Sequence, residues 1–223
     1  TLKIVVPTLT LEFAFGFVLA FFLYGQRKFS RIILPILVVP MTVSPAVVGL
    51  VGNLSLNPEF GIVGQTLKYL GVSDTSVLGE PFSALVAIIM ADIWQWTPFM
   101  TLIFLAGLLS FPKEPYEAAQ IDGARPIQTI RLVTVPLMLP LMTIATLLRF
   151  IDIFKIFDTI WIMTVGGPGS ATEALSIYAY RVNFMHWNLG YGSAIIMLLL
   201  LINYTICFLF YKYITSAQKQ QPA

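Results

Sequence analysis

The chain has 223 residues, of which 57% are hydrophobic and only 11% charged, whereas a soluble domain carries roughly 25% charged residues. Thirteen basic and eleven acidic residues leave a net charge of +2, too small and too scattered for a nucleic-acid-binding surface. One cysteine, Cys207, permits no internal disulfide, and the one histidine, His186, has no cysteine or second histidine with which to hold zinc.

Five apolar runs are long enough to cross hydrocarbon as helices: residues 4–24, 32–52, 82–109, 137–164 and 191–213. Lipid demands helices here, because an unpaired backbone group costs several kcal/mol in the bilayer. The predicted fold is therefore all-α, a polytopic transmembrane helical bundle forming a single domain over 1–223. Pro35, Pro40 and Pro45 in the second run and Pro98 in the third predict kinked or locally opened helices. Gly16 with Ala20, and Gly190 with Ala194, have the small-residue spacing of close helix contacts.

Lysine and arginine in the short connections set an orientation. Arg27, Lys28, Arg31, Lys113, Arg125, Arg131, Lys212 and Lys219 fall on one set of alternating connections, which is predicted to be cytoplasmic. Lys3, Lys68 and Arg181 fall on the other, with Glu59, Asp74, Glu80 and Glu173. Thr1 is thus expected outside and Ala223 inside, which implies that an earlier span precedes this sequence. The connection 53–81, with turn signals at Asn57-Pro58 and Gly71, reads as a structured external loop. Gly166-Gly167-Pro168-Gly169 reads as a tight external turn, since it lacks the lysine of a phosphate loop. Trp161 and Trp187 read as interface anchors.

Between the third and fourth runs, segment 111–136 is polar yet patterned for helix. Pro115 suits a first helical position, Glu117 puts negative charge in the first turn, and Gly123 is placed to end the helix. About eight residues follow from this grammar, roughly 12 Å of helix. A second helix can begin at Pro126 and run to Pro136. So short a helix is marginal alone, and spacing leaves open a docking element or an ordinary capped connector.

The motif itself is more specific. Glu117-Ala118-Ala119, Gly123 after three residues, and Val133-Thr134-Val135-Pro136 after nine more resemble the EAA loop of ATP-binding cassette (ABC) importer permeases. Asp122-Gly123-Ala124 resembles the carbohydrate-uptake branch; Val133 and Val135 depart from the usual isoleucine and leucine but stay apolar. Trp94, Pro98-Phe99, Leu105-Ala106-Gly107-Leu108, Phe157-Asp158, Thr172-Glu173 and Gly190-Tyr191-Gly192-Ser193-Ala194 extend the likeness.

The resemblance implies a type I ABC importer permease in a cell membrane. In that family the EAA loop is a coupling helix, here Glu117, Ala118, Ala119, Asp122, Gly123 and Ala124, seated on separate ATPase subunits. It implies as partners two such subunits, a second and similar permease, an external solute-binding protein and membrane lipid, with no nucleic acid. ATP and Mg belong to the ATPase subunits, and no cofactor or metal to this chain. The sequence agrees in having no G-x-x-x-x-G-K-[ST] phosphate loop and no Gly-Lys pair.

Charged groups at mid-bilayer cost roughly 2.5 to 3.5 kcal/mol on insertion scales, so they face a cavity or a partner. Glu12, Asp92, Arg149, Asp152, Lys155 and Asp158 lie within the runs. The last four alternate in sign every three residues, which allows neighbours to pair along a helix. Salt bridges that hold the bundle and groups that line a solute pathway are both compatible with this pattern. Sugar sites combine hydroxyl-binding groups with aromatic faces, which adds Trp94, Gln95, Trp96 and Asn203 to the pathway candidates. The expected function is ATP-driven sugar import. An ion-gradient-driven transporter using Asp92, Asp152 and Asp158 is the alternative from another class; polyol or glycerol phosphate import is the alternative within the class.

Overall fold

A computed structural model describes residues 1–71 and 76–218, the side chains of 27–29 and 213–218 excepted. Asp74 and Lys219, assigned above to opposite sides, lie outside the described residues, as do the side chains of Arg27 and Lys28. Every regular element among the described residues is helical.

The centre is a pair of long helices, α1 (Leu2–Gly25) and α5 (Pro81–Ser110), which pack along one another. Gly16 makes the approach possible: a Cβ there would stand 2.6 Å from the Cβ of Met100. Phe13 meets Phe104 edge-on across the same seam, with ring centroids 5.2 Å apart. The small-residue signal thus marks a contact at Gly16 and Ala20, both buried. It marks none at Gly190, where a Cβ would meet nothing within 4 Å.

The second apolar run is broken. It folds as α2 (Arg27–Thr42) and α3 (Pro45–Ser55), bent by 92° between Ser30–Thr42 and Pro45–Ser55. Pro45 takes the first helical position of α3 and forces the preceding Ser44 into an extended conformation, φ −59° and ψ 138°. The freed backbone is reclaimed from outside: Gln95 Nε2 donates to the Val43 carbonyl at 2.7 Å. Asn53 Nδ2 likewise donates to the Met163 carbonyl at 2.9 Å. The connection that follows contains α4 (Ile62–Tyr69), so a structured segment stands among its described residues, as expected.

The fourth run requires a correction. Its helix ends at Phe154, ten residues before the predicted end at Thr164, although Ile156, Phe157 and residues 160–163 beyond it are apolar. The chain bends at Lys155 and restarts as α9 (Asp158–Thr164). The Ile156 carbonyl released at this break accepts a hydrogen bond from the Ser176 hydroxyl, a tertiary contact that no hydropathy window contains. At its other end the rod starts earlier than predicted. Between α6 (Glu114–Ile121) and α8 (Val135–Phe154) come α7 (Pro126–Thr129) and a π-helical turn, Ile130–Thr134. Pro136 has no N–H to return to the preceding turn, and the helix passes it on a wider, i→i+5 bonded turn.

Helix α10 (Leu175–Tyr180) leads through a second π-helical turn, Arg181–Met185, to α11 (Leu189–Gln218). Trp161 is stacked on Phe157 at 5.7 Å and meets Tyr180 edge-on at 4.9 Å, whereas Trp187 is exposed. Arg181 holds the Gly166–Gly169 turn by an ion pair to Glu173 at 2.7 Å and a hydrogen bond to the Val165 carbonyl. Beside it, a hydrogen bond with Tyr191 pushes the Tyr178 phenol above its usual pKa. By length and composition α1, α5, α11 and the rod Pro126–Phe154 can each cross a membrane, with the bent pair α2 and α3 as a broken fifth span.

Candidate functional site

One guanidinium organises the interior. Arg149, on α8, is 2% exposed, and Glu12, on α1, is fully buried. Arg149 Nη2 donates to Glu12 Oε1 at 2.9 Å and also to Asp92 Oδ2 on α5, while Nη1 donates to Asp152 Oδ2 at 3.0 Å. Three helices are thereby tied at one point. Such a network is required here because an unpaired charge at this depth is very costly. The guanidinium also stands 4.9 Å from the centroid of the Trp96 ring, in reach of a cation–π contact.

The broken second span and the break after α8 both open beside this cluster. A cavity of about 250 Å³ is lined by Asp92, Trp96, Arg149, Asp152, Lys155 and Asp158 together with Pro45, Ile153, Ile156, Phe157 and Thr159. Pro45 opens α3, and Lys155 to Asp158 is the break after α8. Irregular backbone at membrane depth is tolerated where it lines such a space.

Six of the ten pathway candidates therefore meet around one cavity. The ion pairs run along the helix from Arg149 to Asp152 and from Asp152 to Lys155 at 3.6 Å, then stop, because Asp158 belongs to the next helix. The other four stand elsewhere. Gln95 is buried and occupied with the Val43 carbonyl. Trp94 is exposed on a separate apolar groove of about 1120 Å³ between α3, α4 and α5. Asn203 faces Cys207 on α11, its Oδ1 lying 3.7 Å from the Cys207 Sγ. Glu12, a pathway candidate by its intramembrane charge, does not line the cavity but stands behind Arg149. Its signal was its isolation: a lone carboxyl in mid-helix needs a cation, and Arg149 lies 137 residues away in the chain.

At the other end of the molecule, α6 spans Glu114–Ile121, with Pro115 in its first turn and Glu114 and Glu117 giving that turn its negative charge. Its end is a Schellman motif. The Gly123 N–H bonds the Gln120 carbonyl at 3.1 Å, and the Ala124 N–H bonds the Ala119 carbonyl at 2.9 Å. Gly123 has φ +72°, in the left-handed region that favours glycine. The next turn is closed by the Arg125 N–H, which donates to Gln128 Oε1 at 2.8 Å. Glu117, Ala118, Asp122 and Gly123 are exposed; Ala119 and Ala124 are half-buried. Two large apolar side chains stand out beside them, Ile121 at 86% and Ile127 at 76% exposure.

A bundle with a broken second span, a polar cavity at the breaks and a capped EAA helix on one end can now be set beside known proteins. The family described as "Binding-protein-dependent transport system inner membrane component" matches residues 12–220. The chain belongs to this family. It is 36% identical over 203 residues to the trehalose/maltose transport system permease protein MalF of Thermococcus litoralis, covering 91% of this chain and 69% of that one. It is 31% identical over 217 residues to the trehalose transport system permease protein SugA of Mycobacterium tuberculosis, covering 97% of this chain and 69% of the relative. In structure it resembles a bacterial ABC transporter involved in import of the acidic polysaccharide alginate, with a TM-score of 0.81 at 21% identity, covering 99% of this chain and 80% of that one. That likeness concerns the fold. This permease is a multi-pass membrane protein, and the sequence spans about two thirds of the length of these curated relatives.

Proposed function

We propose that this permease is the membrane subunit of an ATP-driven, binding-protein-dependent importer of a sugar or oligosaccharide. The observation that carries this reading is α6: a two-turn helix closed by a Schellman motif at Gly123, flanked by Ile121 and Ile127. Isolated helices of this length are unstable in water, and apolar side chains so exposed mark an interaction site. The occupant is an ABC ATPase subunit, one for each of two permeases in the complex. ATP and Mg bind on those subunits, and this chain contributes no nucleotide site. Closure of the ATPase pair moves the coupling helices, and the spans rock between inward-facing and outward-facing states.

The second permease is a similar but different chain, and an external binding protein delivers the solute. The orientation follows the basic residues, with α6 cytoplasmic and the Gly166–Gly169 turn external. The solute is read by the cavity at Asp92, Trp96, Arg149, Asp152, Lys155 and Asp158. The relatives named for trehalose and maltose support a sugar.

The experiment is a cysteine at position 118 or 121, in a background where Cys207 is replaced by serine, tested for cross-linking to the ATPase subunit in the assembled complex. A nucleotide-sensitive cross-link is expected; its absence at both positions overturns the coupling role. Uptake by proteoliposomes should need enclosed ATP and persist when ionophores remove ion gradients, whereas a gradient-driven transporter gives the reverse.

A further inference from the structure

We infer that the cavity at the broken spans admits uncharged polyhydroxyl solutes and rejects anionic ones, because Glu12 and Asp92 consume the charge of Arg149 before a solute can reach it. This rests on the sugar-import reading and adds the charge class of the solute. The fold does not set that class, since a bundle of the same shape belongs to an importer of acidic alginate.

An arginine recognises a carboxylate, sulfonate or phosphate through paired donors of its planar fork. Here the fork is taken. Nη1 is held by Asp152, and Nη2 by Glu12 and Asp92. Three of the five guanidinium N–H donors are engaged in this way, and Nε, which has no partner, is itself buried. The paired donors that would clamp an oxyanion are thus spent within the chain.

The remaining wall adds no positive surplus. Lys155, the other cation of the cavity, is paired with Asp152 at 3.6 Å. The two cations face three lining carboxyl groups, Asp92, Asp152 and Asp158, and a fourth, Glu12, stands behind Arg149. One ionised carboxylate is enough to cancel Arg149, and Asp152 cancels Lys155, which leaves Asp158 to turn the local field against an incoming anion at a depth where screening by water and salt is weak. Glu12 does not line the cavity. It acts as a positioning and charge-setting residue through Arg149.

Binding is read by saturation-transfer difference NMR on the nanodisc-embedded complex of permeases and ATPase subunits. The external binding protein is left out, so that its own selectivity does not enter. The probes are equimolar trehalose and maltose, and an aldobiuronic acid of the same size. Wild type is expected to favour the neutral disaccharides by about ten-fold or more, the scale of one unscreened like-charge contact. Asp152→Asn and Glu12→Gln each remove a carboxylate and should narrow that ratio several-fold. Lys155→Gln removes a cation and should widen it. Asp152 is half-exposed, so its variant keeps the test open if Glu12→Gln fails to assemble. A purely structural role would not move the ratio in opposite directions. Equal or tighter binding of the acid by wild type, or shifts of one sign in all variants, overturns the charge assignment and leaves the sugar reading standing. Binding of none of the disaccharides, or of a cationic aminosugar alone, overturns both.

Discussion

The ionic cluster between α1, α5 and α8 and the exposed helix α6 both rely on acidic side chains, but in opposite surroundings. Arg149 is met by Glu12, Asp92 and Asp152 from within the chain, and three helices depend on the match. On α6, Glu117 and Asp122 face outward, and the neighbouring Ile121 and Ile127 have no cover. What is satisfied internally holds the scaffold together; what is ordered but left uncovered is shaped for another polypeptide. The first region should therefore answer mutation with loss of stability, and the second with loss of coupling.

The largest effect is expected from Arg149→Met, which leaves Glu12 and Asp92 facing each other without a cation. Removing one partner of a buried pair costs about 3–5 kcal/mol, to be read as a collapsed Tm or loss of the monodisperse peak in fluorescence-detected size exclusion. Adding Glu12→Gln and Asp92→Asn to that variant should restore most of the loss; a single Arg149→Met that melts like wild type would break the contrast. Gly16→Ala comes next. Its Cβ would intrude on Met100, and overpacking of this kind costs roughly 1–3 kcal/mol. Gly190→Ala, in open space, should be neutral or stabilise by up to about 1 kcal/mol, and comparing the two melting temperatures checks the seam.

Gly123→Val sharpens the comparison from the other side. It strains a left-handed residue by about 1–2 kcal/mol, with no neighbour for the new side chain to strike. The melting temperature should fall slightly while uptake per ATP hydrolysed falls severely, as paired transport and phosphate-release assays would show. Normal coupling in this variant removes the mechanical role of the α6 terminus. The smallest effect belongs to Lys155→Gln. Its pair with Asp152 is largely exposed, so the change in stability should stay under about 1 kcal/mol.

Local features of the sequence foretold local features of the structure. Pro115 and Gly123 bracketed α6, because the start and stop of a short helix are written in the residues that make them. Five apolar runs gave five spans or pairs of half-spans, since hydrocarbon selects on composition over about twenty residues. The breaks were less legible. Pro35, Pro40 and Pro45 announced a disturbance in the second run, but only the Gln95 bond to Val43 and the packing of α3 on α9 fix a bend of 92° there. The end of α8 at Phe154 is marked in the sequence only by Lys155 and Asp158, which read equally well as one more ion pair along a helix, because the restart at Asp158 depends on partners such as Ser176. The cavity was half legible: its charges were visible as insertion costs, whereas the pairing of Glu12 with Arg149 is a fact of three-dimensional arrangement. Trp94 and Trp96 show the limit, two residues apart on one helix yet bordering different spaces.

Helix α11 leaves nearly all of its circumference uncovered, with 6% of its most apolar stretch buried and with α8 and α10 as its chief contacts. A rod of that kind satisfies its own backbone and partitions into hydrocarbon unaided. Its place in the molecule is thus decided by insertion first and docking second, and its uncovered faces are left to acyl chains or to the second permease of the proposed complex.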